Sequence, residues 1–312
     1  MAKFTIITPV LNGANYIETC ILSVANQECD VQHIIMDGGS TDGTQEIIEK
    51  HAHHLAHWES AKDLGQSDAF NKGLAKTDGH ICNWLNADDT LCAGALKEVS
   101  NLMSNETLVV TGKCEHVNSL KQTIAIGGVV IYPTLEQTLG RYTMGQPSHF
   151  YRTSVLKALG PLKTNLHYAM DMELWFRFLL KYDQKSVRTT DKILSQFLVR
   201  EDAKSQIMAK EMASEKFGIF RALLQNGAQT DDFNALLDNY SIPAGVHFST
   251  DIPLEYRLLC GHFSYPLLPN YYQQGKLADT KILLQMVNNA NLLSSWDRYL
   301  WELRVIKLSL SK

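Results

Sequence analysis

Residues 31–44 read VQHIIMDGGSTDGT. The apolar, β-branched run from Val31 to Met36 predicts a buried strand, closed by Asp37-Gly38-Gly39. Thr44 to His51 then reads as a short helix. The same alternation extends both ways. Upstream, Phe4 to Val10 is another β-branched run, and Asn15 to Gln27 carries apolar residues at 17, 21 and 24, a helical stripe. Downstream, Leu55 to Trp58 reads as a third strand. Ser67 to Lys76 reads as a helix with Ser67 as its N-cap, and His80 to Leu85 as a fourth strand. Strand and helix alternating over short links predict a parallel, doubly wound α/β layer.

Composition sets the outer bounds. The chain has 312 residues, 45% hydrophobic and 20% charged, so it can bury a core, and its length fits about two domains. Its 29 basic and 33 acidic residues leave a net charge of −4, without the basic footprint of a nucleic-acid binder. Its apolar stretches fall short of the roughly 18 residues of a membrane span. The opening MAKFTIITPV lacks the order of parts of a signal peptide. A cytoplasmic, soluble protein is expected. Cys20, Cys29, Cys82, Cys92, Cys114 and Cys260 form no CxxC pair and read as small buried hydrophobes.

The middle of the chain is less regular. Leu108 to Thr111, Thr123 to Tyr132, Gln146 to Tyr151 and Ile193 to Val199 read as strands, and Met170 to Tyr182 as a helix. Beyond Asp202 the pattern is mostly helical, which sets a boundary near residue 205.

Ligands of open α/β sheets bind beyond the carboxyl ends of the strands. Here those ends are Thr8-Pro9-Val10-Leu11-Asn12, the segment 37–44, the segment 62–68 and Asn86-Ala87-Asp88-Asp89. Carboxylates crowded on one edge repel, and a cation or a hydrogen-bonding ligand relieves that cost. Hard divalent cations take oxygen ligands of this kind. The plainer readings are helix capping by Asp42, and by Asp88 or Asp89. Neither GxGxxG nor GxxxxGK[ST] is present.

Together these segments resemble the family 2 inverting glycosyltransferases. The resemblance rests on TPVLN at 8–12, DGGSTDGT at 37–44, KDLGQSDAFNKGL at 62–74, WLNADD at 84–89, QPSHFYR at 146–152 and YAMDMELWFRF at 168–178, in order, over residues 1–205. It implies a GT-A fold, a Rossmann-like, mostly parallel sheet flanked by helices. The expected domains are a catalytic domain at 1–205, with a nucleotide-binding half at 1–90 and an acceptor-binding half at 91–205, and a mainly helical C-terminal extension at 206–312. It also implies transfer of a sugar from a nucleotide-sugar donor, UDP-linked in most relatives, to a hydroxyl of a glycan or lipid-linked acceptor in bacterial surface polysaccharide biosynthesis.

By the same resemblance, Thr8, Pro9, Asn12, Asp37 and Ser40 line the nucleoside pocket. Asp63, Asp68 and Lys72 face the nucleotide and ribose. Asn86-Ala87-Asp88 matches the family's DxD motif, with Asp88 holding Mn²⁺ or Mg²⁺ against the diphosphate. Asp171 matches the catalytic base, with helix N-capping as its plainer reading and Glu173 as the fallback base. Gln146, His149 and Trp175 fall on the acceptor side. Two positions depart from the pattern: Asn86 replaces an acid, and Ala61 replaces a common Glu. Arg200 and the pair Lys204-Ser205 fall where the family often ends its core with basic and hydroxyl residues, which implies a hold on the diphosphate once the loop closes. Two other classes stay open, a sugar nucleotidyltransferase and a non-catalytic glycan- or partner-binding protein.

Two further features lie outside these motifs. HAHHLAH at 51–57 reads as a solvated face, with a metal site through His53 and His57 as the alternative. Residues 291–312 carry Leu293, Trp296, Leu300, Leu303, Ile306 and Leu310 at three- and four-residue steps. The expectation is a helix packed on the rest of the protein or a homo-oligomer contact, with peripheral contact at the inner face of the cell membrane as the other reading.

Overall fold

The computed structural model describes residues 3–200, 207–225 and 236–310. Among them, β1 (Phe4–Val10), β2 (Val31–Asp37), β3 (His57–Ser60) and β4 (Ile81–Trp84) lie in the order β3-β2-β1-β4, with every pairing parallel. This is the order of a doubly wound half-sheet. Every residue of β1 is buried, as a strand covered on both faces requires.

Helices α1 (Ile17–Ala25), α2 (Thr44–Lys50) and α3 (Gln66–Ala75) cover this half-sheet. Phe4 and Ile6 pack with Cys20 and Val24 of α1. Ile7 points the other way, toward Gly73 of α3, where an added Cβ would lie 2.5 Å from Ile7 Cγ2. Gly73 therefore lets α3 approach the sheet closely. α3 starts at Gln66 with Gly65 as its N-cap, so the expected cap, Ser67, lies inside the helix and is buried.

The second half of the sheet is mixed. β8 (His149–Arg152) runs antiparallel to β4 and to β6 (Val109–Val117), and β9 (Val187–Leu198) runs parallel to β6. β5 (Thr90–Leu91) pairs with β9, and β7 (Thr123–Gly128) with β6, both antiparallel. The strand expected over 123–132 ends at Gly128, and the one expected over 193–199 begins at Val187. Three short helices are additional to those expected: α4 (Ala95–Leu102), whose apolar residues at 96, 99 and 102 do follow a helical step, α5 (Leu135–Gly140) and α6 (Thr153–Leu159). α7 (Met170–Tyr182) has the expected bounds.

The chain divides into two compact units. The first comprises Met1–Val129, Thr143–Phe178 and Gln184–Met212, and holds the whole sheet. The second comprises Val130–Tyr142, Leu179–Asp183 and Ala213–Lys312. The expected boundary at 205, with Lys204-Ser205, lies outside the described residues. The second unit is built from α5, most of α8 (Ala209–Leu224), α9 (Tyr256–Gln273), α10 (Leu277–Asn289) and α11 (Ser295–Leu310). Its core includes Phe220 stacked on Phe263, ring centroids 3.7 Å apart. No described helix is long and apolar enough to cross a membrane.

Cys20, Cys82, Cys114 and Cys260 are buried, and Cys29 and Cys92 partly so. Burial pushes the Cys82 and Cys260 thiols up to about 12. In the histidine tract, His51 is buried and lies 2.7 Å from Glu18, while His57 lies 3.2 Å from Glu59. The tract is therefore not wholly solvated.

Candidate active site

The four parallel strands release their loops at one edge of the first unit. Two of these loops are tied into a single lip. Asn12, held at φ +53°, donates its N–H to Ser40 Oγ at 2.7 Å and accepts at its side-chain oxygen from Thr41 N at 3.0 Å. Gly13 N donates to Thr44 Oγ1 at 2.9 Å, and Ala14 N to Asp42 Oδ2 at 3.0 Å. Asp42 also accepts from Thr44 N at 3.2 Å, but the N-cap of α2 is Gly43, so the expected cap lies one residue before it. Gly39 and Gly43 sit at φ +88° and +96°, where a side chain would be strained.

Asp37 organises this lip from within. It is 2% exposed. Its carboxylate accepts from Gly39 N, Ser40 N, Ser40 Oγ and Ser60 Oγ. Thr8 faces the interior, its hydroxyl 3.0 Å from His33 Nε2, and Pro9 is buried beside Met36. Burial pushes the His33 imidazole down to about 3, so it is neutral near pH 7. Thr8 and Pro9 are therefore enclosed within the sheet, and neither side chain is exposed at the lip.

The third loop brings two acids to the edge. The Asp63 carboxylate lies over Gly38, where an added Cβ would meet it at 3.1–3.3 Å, and accepts from Gly65 N at 2.8 Å. Asp68 accepts from Leu64 N and pairs with Lys72 at 2.9 Å. The Lys72 ammonium holds the Asp68 carboxyl below its usual range.

The fourth loop differs from expectation at Asn86. Its amide oxygen accepts from Trp84 Nε1 at 2.8 Å and from Gln66 Nε2, so both lone pairs are engaged within the chain. Ala87 is buried beneath Gly13. Asp88 keeps its side chain a quarter exposed and pairs with Arg200 Nη2 at 3.0 Å. The Arg200 guanidinium lies 4.7 Å over the Tyr16 ring. Asp89 is fully buried and accepts from Leu198 N at 3.3 Å. Burial, reinforced by the Asp88 charge, holds Asp89 well above the carboxylate range. Neither acid caps α4, whose N-cap is Gly94.

Among the described residues no three His, Cys, Asp or Glu side chains form a cluster able to hold a metal. Asp88 supplies one partly exposed carboxylate. That fits a cation of the Mg²⁺ type, which takes one or two carboxylates and completes its shell with water and substrate phosphates.

Behind this edge a small cavity of about 20 Å³ opens in the first unit, lined among others by Phe70, Trp84, Gln146, His149, Tyr151 and Asp171. Asp171, the second residue of α7, is half-buried on its wall. Burial, with the Asp171 charge added, holds the Tyr151 phenol well above its usual range. His149 Nδ1 lies 3.0 Å from the Gly145 carbonyl, and burial pushes its imidazole down to about 4. A neutral ring donating from Nδ1 leaves Nε2 as an acceptor. Gln146 Nε2 donates to the Trp84 carbonyl, which ties the cavity to the Asn86 loop. Asn83 strengthens the same joint, donating from Nδ2 to the carbonyls of Pro147 at 3.0 Å and His149 at 2.8 Å.

Glu173 and Trp175 lie elsewhere. Glu173 is fully buried and held by Arg177 on both carboxylate oxygens at 2.8 Å. Trp175 is 1% exposed, stacked on Phe178. The structure thus brings Gln146, His149 and Asp171 together and leaves Glu173 and Trp175 in the core beneath them. Sequence reasoning missed Trp84, Tyr151, Gln66 and Tyr16 as site residues. The first three stand inside motifs already quoted, but their side-chain directions follow only from the fold.

Residues 5–154 match the family model described as glycosyl transferase family 2. That stretch is a family 2 glycosyltransferase domain. The chain is 30% identical over 181 residues to the PGL/p-HBAD biosynthesis glycosyltransferase of Mycobacterium bovis, covering 53% of this chain and 64% of that one. It spans about three fifths of the length of the first curated relatives it matches. Two solved structures share the fold of this chain, which is the GT-A fold. The S. aureus TarS 1–349 complex with UDP-GlcNAc has a TM-score of 0.57 at 18% identity, covering 91% of this chain and 83% of that one. The mannosyltransferase PcManGT from Pyrobaculum calidifontis, in complex with GDP-Man and Mn²⁺, has a TM-score of 0.53 at 16% identity, covering 99% and 86%.

Proposed function

We propose that this chain is an inverting glycosyltransferase. It moves a sugar from a UDP-linked donor to a hydroxyl of a glycan or lipid-linked acceptor in surface polysaccharide biosynthesis. The observation that carries the reading is the position of Asp171. It lines a cavity whose wall continues through Trp84 into the Asn86–Asp88 loop. Donor phosphates at Asp88 and an acceptor hydroxyl at the mouth of this cavity would then meet at the anomeric carbon. The donor chemistry of the two structural neighbours supports a nucleotide-sugar substrate.

In this scheme Asp63 faces the nucleoside, and Asp37 and Ser40 hold the lip that shapes its pocket. Asp171 takes the proton of the acceptor hydroxyl as that oxygen attacks the anomeric carbon. The C1–O bond to the diphosphate breaks, and the nucleoside diphosphate leaves with the electron pair. Arg200 exchanges its partner Asp88 for the departing phosphates. A divalent ion held by Asp88, when bound, supplies charge neutralisation at the leaving group.

The deciding experiment offers nucleotide sugars and measures released nucleoside diphosphate, with the product anomer read by NMR. Release of UDP with inversion supports the proposal. Pyrophosphate release from a nucleoside triphosphate and a sugar phosphate would instead establish a nucleotidyltransferase. A retained anomeric configuration would remove Asp171 from the role of base in a single displacement.

A further inference from the structure

Helix α11 carries two apolar faces. One is Trp301, Val305 and Leu308, which packs within the second unit. Val305 is buried, and the Trp301 ring meets Tyr272 edge-on at 5.8 Å. This is not the stripe that the sequence singled out. Four members of that stripe, Trp296, Leu303, Ile306 and Leu310, lie on the opposite face in solvent together with Tyr299, the five being 43–82% exposed, while Leu293 and Leu300 are partly buried. Scattered exposed apolar residues are ordinary, but a continuous row marks a contact surface.

The spacing of the row says what it contacts. The five residues follow each other by three, four, three and four positions. At about 100° per residue they span an arc of about 80°. That is the narrow seam of a helix pair, whereas a lipid surface calls for a broad apolar face bordered by basic residues. In heptad terms, Trp296, Leu303 and Leu310 take the a positions, and Tyr299 and Ile306 the d positions. Glu302 then falls at g and Lys307 at the following e, both exposed. In a parallel pair of identical helices, g of one faces the next e of the other. Two-fold symmetry therefore sets Glu302 against Lys307 twice. An antiparallel pair would set Glu302 against Glu302 and Lys307 against Lys307.

We propose that α11 is a dimerisation helix whose partner is the α11 of a second copy of this chain, packed parallel and in register. The inference is independent of the proposed reaction. The described part of α11, 16 residues, carries little more than two heptads of this seam.

Sedimentation equilibrium of the full chain tests this. The wild type should show a concentration-dependent monomer–dimer equilibrium. Leu303→Lys should be monomeric with an unchanged far-UV circular dichroism spectrum and urea midpoint. Glu302→Lys, a surface change that leaves the packing face untouched, should weaken the dimer by about tenfold, since it replaces two attractions with two repulsions. The double variant Glu302→Lys/Lys307→Glu should restore it. A monomer at every concentration, or a dimer indifferent to Glu302→Lys, overturns the proposal. So does a monomeric wild type that floats with phosphatidylglycerol vesicles and loses that binding in Leu303→Lys.

Discussion

Arg200 Nη2 lies 3.0 Å from the Asp88 carboxylate, and the same guanidinium covers the Tyr16 ring. A side-chain cation thus stands where the proposed reaction needs positive charge against a diphosphate. Asn86 cannot share that duty while Gln66 and Trp84 both donate to its amide oxygen. The electrostatics of the donor site therefore converge on Asp88 and Arg200.

Asp88→Asn should remove the metal-dependent part of nucleotide binding. In calorimetry with UDP and Mn²⁺, affinity should fall roughly tenfold or more, since the carboxylate supplies the protein's charge to the ion. Binding without Mn²⁺ should change little. Equal affinity for both proteins in the presence of Mn²⁺ would remove Asp88 from the metal site.

Asp171→Asn keeps the size and polarity of the cavity wall and removes the proton acceptor. Its kcat should fall by about 10²–10⁴, the usual contribution of a positioned general base, with donor KM nearly unchanged. Near-normal turnover would return Asp171 to a role in the first turn of α7. Glu173 is a poor substitute, being buried and held by Arg177.

Stability should fall in acid through His33. Its folded-state imidazole is pushed down to about 3 by burial against an unfolded value near 6.5. The unfolded chain therefore binds a proton over that interval and the folded chain does not. The contribution is fully present above about pH 6.5 and is lost progressively as pH falls toward 3. Between pH 7 and pH 5 the loss is about 2 kcal/mol. Urea denaturation of the wild type and His33→Gln at both values should show a smaller decline in the variant. Parallel declines would contradict the assignment.

Gly73→Ala tests how closely α3 lies on the sheet. The new methyl would meet Ile7 Cγ2 at 2.5 Å and Met36 Cγ at 3.4 Å. Ile7 is β-branched and fully buried, so it yields little. Overpacking costs about 1–3 kcal/mol and outweighs the helix-propensity gain of about 1 kcal/mol. The urea midpoint should fall. A rise would mean that α3 shifts outward without cost.

The parts of the fold legible in the sequence are those where the polypeptide pattern repeats. β1, a continuous run of seven buried residues, and α7, a helical stripe over thirteen, came out with their observed ends because each signal fills its whole element. α5 and α6 are six and seven residues long, too short to show a helical stripe. The candidate site was legible as residue types at strand ends, but not as side-chain directions. That Asn86 replaces an acid was visible in the sequence, but that two donors engage its oxygen was not. On α11 the apolar period was visible, but which of two apolar faces meets the protein depends on Trp301, Val305 and Leu308, off the stripe that was read.

Asn83 has a consequence beyond its two hydrogen bonds. It stands in β4 three residues before Asn86, and it grips the backbone that carries Gln146 and His149. The two substrates of the proposed reaction would thus be held from a common girder, with their spacing written into strand register rather than into loop length. Loops at the rim can then lengthen, shorten or change composition, and so change what is recognised, while the alignment of the reacting groups stays put.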